Sequence, residues 1–161
     1  MAKLNPTKNS LPEDARKQLV EHLNERLATL IDLQLQSKQL HWTLRSPHFI
    51  ALHELLDELV DDVSGYADLV AERAAQLGGI ADGTLATVTS KSVLDDLKAK
   101  NISTEDLLLI ITDALGKAGG VMRESIDWTD DLNDAATSDI FTEITRGLDA
   151  WLWKFEAHQG K

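Results

Sequence analysis

From Pro12 onward the apolar residues of this chain return every three or four positions, the mark of helices with one buried face. Leu19, Val20, Leu23, Leu27, Leu30 and Ile31 define a first helix that can run to about Leu44. Ser46-Pro47 restarts the chain. Ser is a good N-cap and Pro a good first helical residue, so a second helix is predicted from there, with Phe49, Leu52, Leu56, Leu59, Val63, Tyr66, Val70 and Leu77 as its stripe and Gly78-Gly79 as its end. Residues 80–102 lose the period and carry Gly, Thr and Ser, with one short helical candidate at about Val93–Lys98. A connection this long lets the next helix lie parallel to the second. Ser103, with Asp106 three positions on, resembles a capping box and opens a third helix through Leu107, Leu108, Ile111, Leu115 and Met122 to about Trp128. After a turn at Asp130–Asp134, a fourth helix from about Asn133 to His158 buries Ile140, Ile144, Leu148, Trp151, Leu152 and Phe155. Strand-type alternation is hard to find and no Pro follows Pro47, so the expected fold is an all-α four-helix bundle with a long second connection.

Composition narrows the chemistry. A chain of 161 residues fits one domain with a sizeable core. Residues 1–11 are polar, carry only Lys3 and Lys8 as charged side chains and read as a flexible arm; 12–158 form the bundle and 159–161 a short tail. With no Cys, disulfides, thiolate-held zinc, iron–sulfur clusters and thiol nucleophiles are excluded. The formal charge of −11 argues against a chain built to coat phosphate backbones and favours cations as guests. No stretch approaches the roughly 20 apolar residues of a bilayer span and the N-terminus lacks an apolar core, so a cytoplasmic protein without membrane contact is expected.

The second predicted helix is unusual. It holds Glu54, Asp57, Glu58, Asp61, Asp62, Asp68 and Glu72, and no Lys or Arg before Arg73. Solvated helices mix signs so that i,i+4 pairs attract, whereas Glu54/Glu58, Glu58/Asp62 and Asp57/Asp61 repel by about 0.2–0.5 kcal/mol each. Either a bound cation compensates or the charge merely solubilises. His53/Asp57 and Asp68/Glu72 are i,i+4 pairs that each aim two ligand-capable side chains at one spot, and eleven positions from Asp57 to Asp68 are almost three whole turns, so all four share one sector beside the apolar stripe. The two pairs are nonetheless centred about 22 Å apart, while metal–ligand bonds are about 2 Å, so one copy of the helix cannot close a site. Two copies packed antiparallel about a two-fold axis near Asp62–Val63 bring His53/Asp57 of one chain to Asp68/Glu72 of the other and create two equivalent sites. His41 lies six residues before Pro47 and His53 six after, so a hairpin sets the two imidazoles level. Two His and three carboxylates suit iron(II), with manganese or zinc as competitors.

The run Lys38-Gln39-Leu40-His41-Trp42, then Phe49, Leu52-His53-Glu54, Asp57, Asp68 and Ala71-Glu72-Arg73, resembles the signature of the DNA-binding proteins from starved cells, the Dps branch of the ferritin superfamily, over about residues 12–158. The resemblance implies a ferritin-like bundle whose long crossover carries a short extra helix, and a homo-dodecamer built on two-fold dimers. It further implies ferroxidase centres that oxidise iron(II), preferably with hydrogen peroxide rather than dioxygen, and store iron(III) mineral inside, protecting against oxidative damage. By position His41, His53 and Asp57 match ligands from one subunit, and Asp68 and Glu72 those from its partner. Trp42 matches an aromatic beside the centre that either donates an electron to a stray radical or packs between helices. Glu54, Glu58, Asp61 and Asp62 are available as interior acids where mineral nucleates. Asp134 and Asp139, in the base-free segment Asp127–Asp139, are expected at a pore, although Asp is also favoured for capping helix N-termini.

Where relatives condense DNA through basic tails, this chain offers Lys3 and Lys8 at one end and Lys161 at the other, so DNA binding is expected to be weak or absent. None of the five His has Glu three positions earlier, which disfavours a di-iron centre inside one bundle, and Met1 and Met122 are the only methionines, which disfavours haem held by a Met pair. His22, His48 and His158 are expected to be surface or structural, with His48 near enough to the hairpin for an auxiliary metal site. The competing functions are a DNA-compacting nucleoid protein and a passive metal-buffering shell with little oxidase activity.

Overall fold

The computed structural model describes residues 3–159 and contains five helices among them. They are α1 (Glu13–Thr43), α2 (Phe49–Gln76), α3 (Leu85–Lys91), α4 (Thr104–Asp131) and α5 (Ala135–Ala157). The first two form one hairpin and the last two another; α1 packs on α4, α2 on α5, and α3 lies against α1. Where α1 ends, the Ile102 amide donates to the Thr43 carbonyl (3.0 Å) and the Arg45 amide to the Ile102 carbonyl (2.8 Å). This bridge starts α4 at the end of α1, so α4 runs parallel to α2 as the long connection requires. No helix among the described residues is long and apolar enough to cross a membrane.

The predicted stripes meet in one core, where Leu19, Leu23, Leu30 and Leu33 join Leu52, Leu56, Leu59, Val63, Ile111, Phe141, Leu148 and Phe155. Phe141 and Phe155 are fully buried, and truncating either to Ala would cost about 3–5 kcal/mol. Close approach of α2 and α5 is set by Gly147, where a Cβ would collide with the Tyr66 phenol.

Helix ends follow side-chain chemistry more closely than periodicity. Ser103 caps α4 by accepting the Asp106 amide (3.1 Å), as its spacing predicts. The second helix begins at Phe49, two residues later than Ser46-Pro47 suggests, because the Ser46 hydroxyl accepts the His48 amide (2.9 Å) and bonds Thr104 Oγ1 (2.5 Å). The short extra helix lies at Leu85–Lys91 and not at Val93–Lys98. Asp82 gathers the Thr84 and Thr87 hydroxyls at its start (2.8 and 2.7 Å), while the Asp95 carbonyl, which a helix at 93–98 would use internally, is taken by Gln36 Nε2 (3.0 Å).

Residues 3–11, expected as a free arm, touch the bundle at defined points. The Asn5 amide donates to the Gly78 carbonyl (2.7 Å), and Leu4 and Leu11 pack against the core. Gly78 sits at φ +87°, where a Cβ would also lie 2.7 Å from the Asn5 carbonyl oxygen, so glycine is required there twice over. Arg16 ties the two segments by donating to the Leu11 and Leu77 carbonyls (3.1 and 3.0 Å). Of the tail at 159–161 only Gln159 is described; Lys161 and Met1 lie outside the described residues.

Candidate metal centre

The turn between α1 and α2 sets His41 and His53 face to face, with ring centroids 3.5 Å apart and planes inclined by 20°. Each imidazole is anchored through Nδ1 to the other residue's carbonyl oxygen, His41 to His53 at 2.9 Å and His53 to His41 at 3.1 Å. The last-turn carbonyl of His41 has no intrahelical amide to accept, so the His53 ring fills a bond that α1 leaves open. With Nδ1–H donating in both rings, both Nε2 lone pairs are left to bind a cation. Phe49 stacks on the outer face of His53 at 4.6 Å and fixes its plane.

Asp57 completes the cluster one helical turn beyond His53. Donor atoms of His41, His53 and Asp57 all lie within 4.8 Å of one another, the single such group found among the described residues. Lys38 donates to Asp57 Oδ1 at 2.5 Å. The Lys38 ammonium holds the Asp57 carboxyl below the usual carboxylate range, against desolvation and with help from His41 and His53. The Asp57 carboxylate is therefore charge-compensated by a lysine, which a cation bound there would have to displace or share. Sequence reading assigned no role to Lys38, yet the hairpin register that levels His41 with His53 also brings Lys38 level with Asp57 to within one residue.

Asp68 and Glu72 do not join this cluster. They stand exposed three to four turns further along α2, as the spacing demands. Beside them lies a hollow of about 540 Å³, walled by Asp61, Ser64, Gly65 and Asp68 of α2, Leu27 and Ile31 of α1, and Ala81 and Gly83 of the crossing. Ile80 and Leu85, next in sequence to the crossing residues that line it, are more than two-thirds exposed.

Other expected positions divide. Glu54, Glu58 and Asp61 are exposed; Asp62 is exposed too but accepts the Trp151 indole N–H at 2.9 Å, so one oxygen is already engaged. Asp139 is exposed just beyond the first turn of α5. Asp134 is not free to line a pore. It is 3% exposed, accepts both Arg73 Nη2 bonds (2.8 and 3.0 Å) and caps α5 through the Thr137 amide (3.2 Å). The capping preference that competed with the pore reading is what the fold uses. Trp42 is 66% exposed, so it does not pack between helices of its own chain; it borders a surface hollow with Leu44, Arg45 and Phe49. His22 is structural: it bonds Ser125 Oγ at 2.8 Å and stacks on Trp128 at 4.1 Å, and burial, aided by Arg26, lowers its pKa to about 4.

A bundle with a crossover between its two hairpins and a His/His/Asp cluster at the hairpin turn defines a ferritin-like protein, and the family model of the ferritin-like domain matches residues 20–161. The chain is 42% identical over 156 residues to the DNA protection during starvation protein of Agrobacterium fabrum, covering 97% of this chain and 96% of the relative. The protein of the same name from Mycolicibacterium smegmatis is 30% identical over 92% of this chain and 80% of its own length. Among solved structures, DpsA14 from Streptomyces coelicolor superposes with a TM-score of 0.90 at 34% identity, covering 98% of this chain and 94% of that one. Mycobacterium smegmatis Dps gives 0.90 at 29% with the same coverage. The chain belongs to the Dps family of ferritin-like proteins.

Proposed function

We propose that this protein is a ferroxidase and iron store in which two copies, packed through α2, complete two equivalent centres. His41, His53 and Asp57 come from one copy and Asp68 and Glu72 from the other. The observation that carries the reading is the convergence of His41, His53 and Asp57 at one end of a helix sector whose other end presents Asp68 and Glu72 exposed. A half-site of two imidazoles and one carboxylate, with a second pair of carboxylates spaced for a neighbour, is the donor set of a carboxylate-rich iron centre. The hollow beside Asp68 and the bare Ile80 and Leu85 supply apolar surface for the pairing. Such dimers would build the hollow dodecamer of the family.

Iron is the substrate. Two iron(II) ions each lose one electron to one hydrogen peroxide, whose O–O bond breaks; two protons are taken up and two waters and two iron(III) ions result. Delivering both electrons together avoids the one-electron cleavage that releases hydroxyl radical. Oxygen donors favour iron(III), which draws the reaction forward. Lys38 moves off Asp57 as the cation arrives, keeping the carboxylate ionised until then. Trp42, exposed next to His41, is placed to reduce a stray oxidant. Glu54, Glu58 and Asp61 are the acids best placed to nucleate mineral, and Asp139 is the remaining pore candidate. Zinc or manganese would compete for the same donors.

The relatives' names speak of DNA protection. Here that protection works through iron chemistry, with DNA binding weak at moderate salt, since Lys3 and Lys8 are the only basic residues of the arm and Asn5 is tied to Gly78. Stopped-flow oxidation of ferrous iron by metal-free, assembled protein tests the reading. It predicts faster oxidation with peroxide than with dioxygen and a soluble ferric product. Binding without accelerated oxidation would instead mark a passive metal-buffering shell, and strong retardation of duplex DNA at about 150 mM salt a DNA-compacting protein.

A further inference from the structure

We propose that the pole of the bundle where α2 and α4 begin and α5 ends carries a second site for a divalent transition metal, held by His48, Glu105 and His158. All three residues line one cavity of about 530 Å³, together with Pro47, Leu108 and Leu109, and no Lys or Arg lines it. The residues come from three parts of the chain, the α1–α2 turn, the first turn of α4 and the C-cap of α5.

Each donor is ready for a cation in a different way. His158 Nδ1 is fixed by the Lys154 carbonyl at 2.8 Å, which sets the tautomer and leaves the Nε2 lone pair for a metal. The His48 ring and the Glu105 carboxylate hold no hydrogen bond or ion pair among the described residues, so turning toward an ion breaks nothing. Their backbones are already coupled. Ser46 Oγ accepts the His48 amide at 2.9 Å and bonds Thr104 Oγ1 at 2.5 Å, which holds the His48 turn against the residue preceding Glu105. The negative end of α5 at His158 favours a cation, and Glu105 offsets the positive first turns of α2 and α4.

The donors are not preassembled, since only His41, His53 and Asp57 lie mutually within 4.8 Å among the described residues. Closure takes side-chain rotation of exposed groups, so this site is weaker than the hairpin centre. Two imidazoles and one carboxylate, with water completing the shell, select zinc, cobalt or nickel over calcium and magnesium. Bound metal would pin three helix ends together.

Calorimetric titration of zinc into metal-free, assembled protein tests this, with cobalt absorption as a second readout of donor type. The H48A/H158A variant is expected to lose one zinc equivalent per chain while oxidising ferrous iron at the original rate. The E105Q variant is expected to bind that equivalent at least about tenfold more weakly. The complementary H41A/H53A variant retains it, with a cobalt spectrum showing nitrogen donors, whatever becomes of iron oxidation. Unchanged zinc stoichiometry in H48A/H158A would overturn the proposal, as would loss of all zinc binding in H41A/H53A.

Discussion

Asp134 and Asp57 each meet a cation, and they serve opposite ends. Asp134 is 3% exposed, and Arg73 grips both of its oxygens while donating through Nε to Thr137 Oγ1 at 2.8 Å. That pair joins α2 to the start of α5. Asp57 keeps 45% of its side chain exposed, and its lysine partner is a single flexible donor, 34% exposed itself. A bidentate buried pair is structural because nothing outside can compete for it; an exposed monodentate pair is exchangeable. Charge alone therefore does not separate the candidate metal ligand from the structural acid. Access and the replaceability of the partner do.

The contrast is broken most severely at Arg73. An Arg73→Met substitution leaves Asp134 buried without its cation, and chemical denaturation should show a loss of about 3–5 kcal/mol. Asp134→Asn keeps a cap acceptor and should cost less. At the other aspartate, Asp57→Asn, or His41→Ala with His53→Ala, should leave folding nearly intact while slowing ferrous oxidation in stopped flow beyond the roughly 10–100-fold typical of losing a supporting group around a metal. Lys38→Met sharpens the comparison. Removing the competing ammonium should tighten ferrous or zinc binding in calorimetry, with a change in stability under about 1 kcal/mol.

The effect confined to acid pH concerns His22, which touches neither aspartate. Its folded pKa, about 4, lies below its unfolded value near 6.5, so the unfolded chain binds more protons between those limits. Stability is fully present above about pH 6.5 and falls as pH drops toward 4, by on the order of 1–2 kcal/mol once solvent screening of the part-buried ring is counted. Thermal unfolding across that range should show the decline, and His22→Leu should flatten it. Ser125 Oγ remains satisfied there by Arg26 and the Val121 carbonyl (2.8 and 2.7 Å).

Periodicity located the four long helices because each buries one face, and Ser103 was legible as a cap because its bond, to the Asp106 amide, is local in sequence. Ser46 misled because Thr104, distant in sequence, helps hold its hydroxyl in the turn, and the extra helix was misplaced because Gln36 claims the Asp95 carbonyl. Both are tertiary bonds with no local signature. His41, His53 and Asp57 were legible from one hairpin register and one i,i+4 step. Asp134 was open to two readings because an acid at a helix start looks the same in sequence whether it faces an arginine or water.

The central claim is that each centre is shared between two chains, and complementation tests it most directly. Protein carrying H53A/D57N is mixed before assembly with protein carrying D68N/E72Q, and ferrous oxidation is measured on the co-assembled particle. Each mixed dimer then holds one intact centre and one doubly disabled centre, so random pairing predicts recovery of about one quarter of the original rate. Recovery no greater than that of the two variants assembled separately would contradict the account.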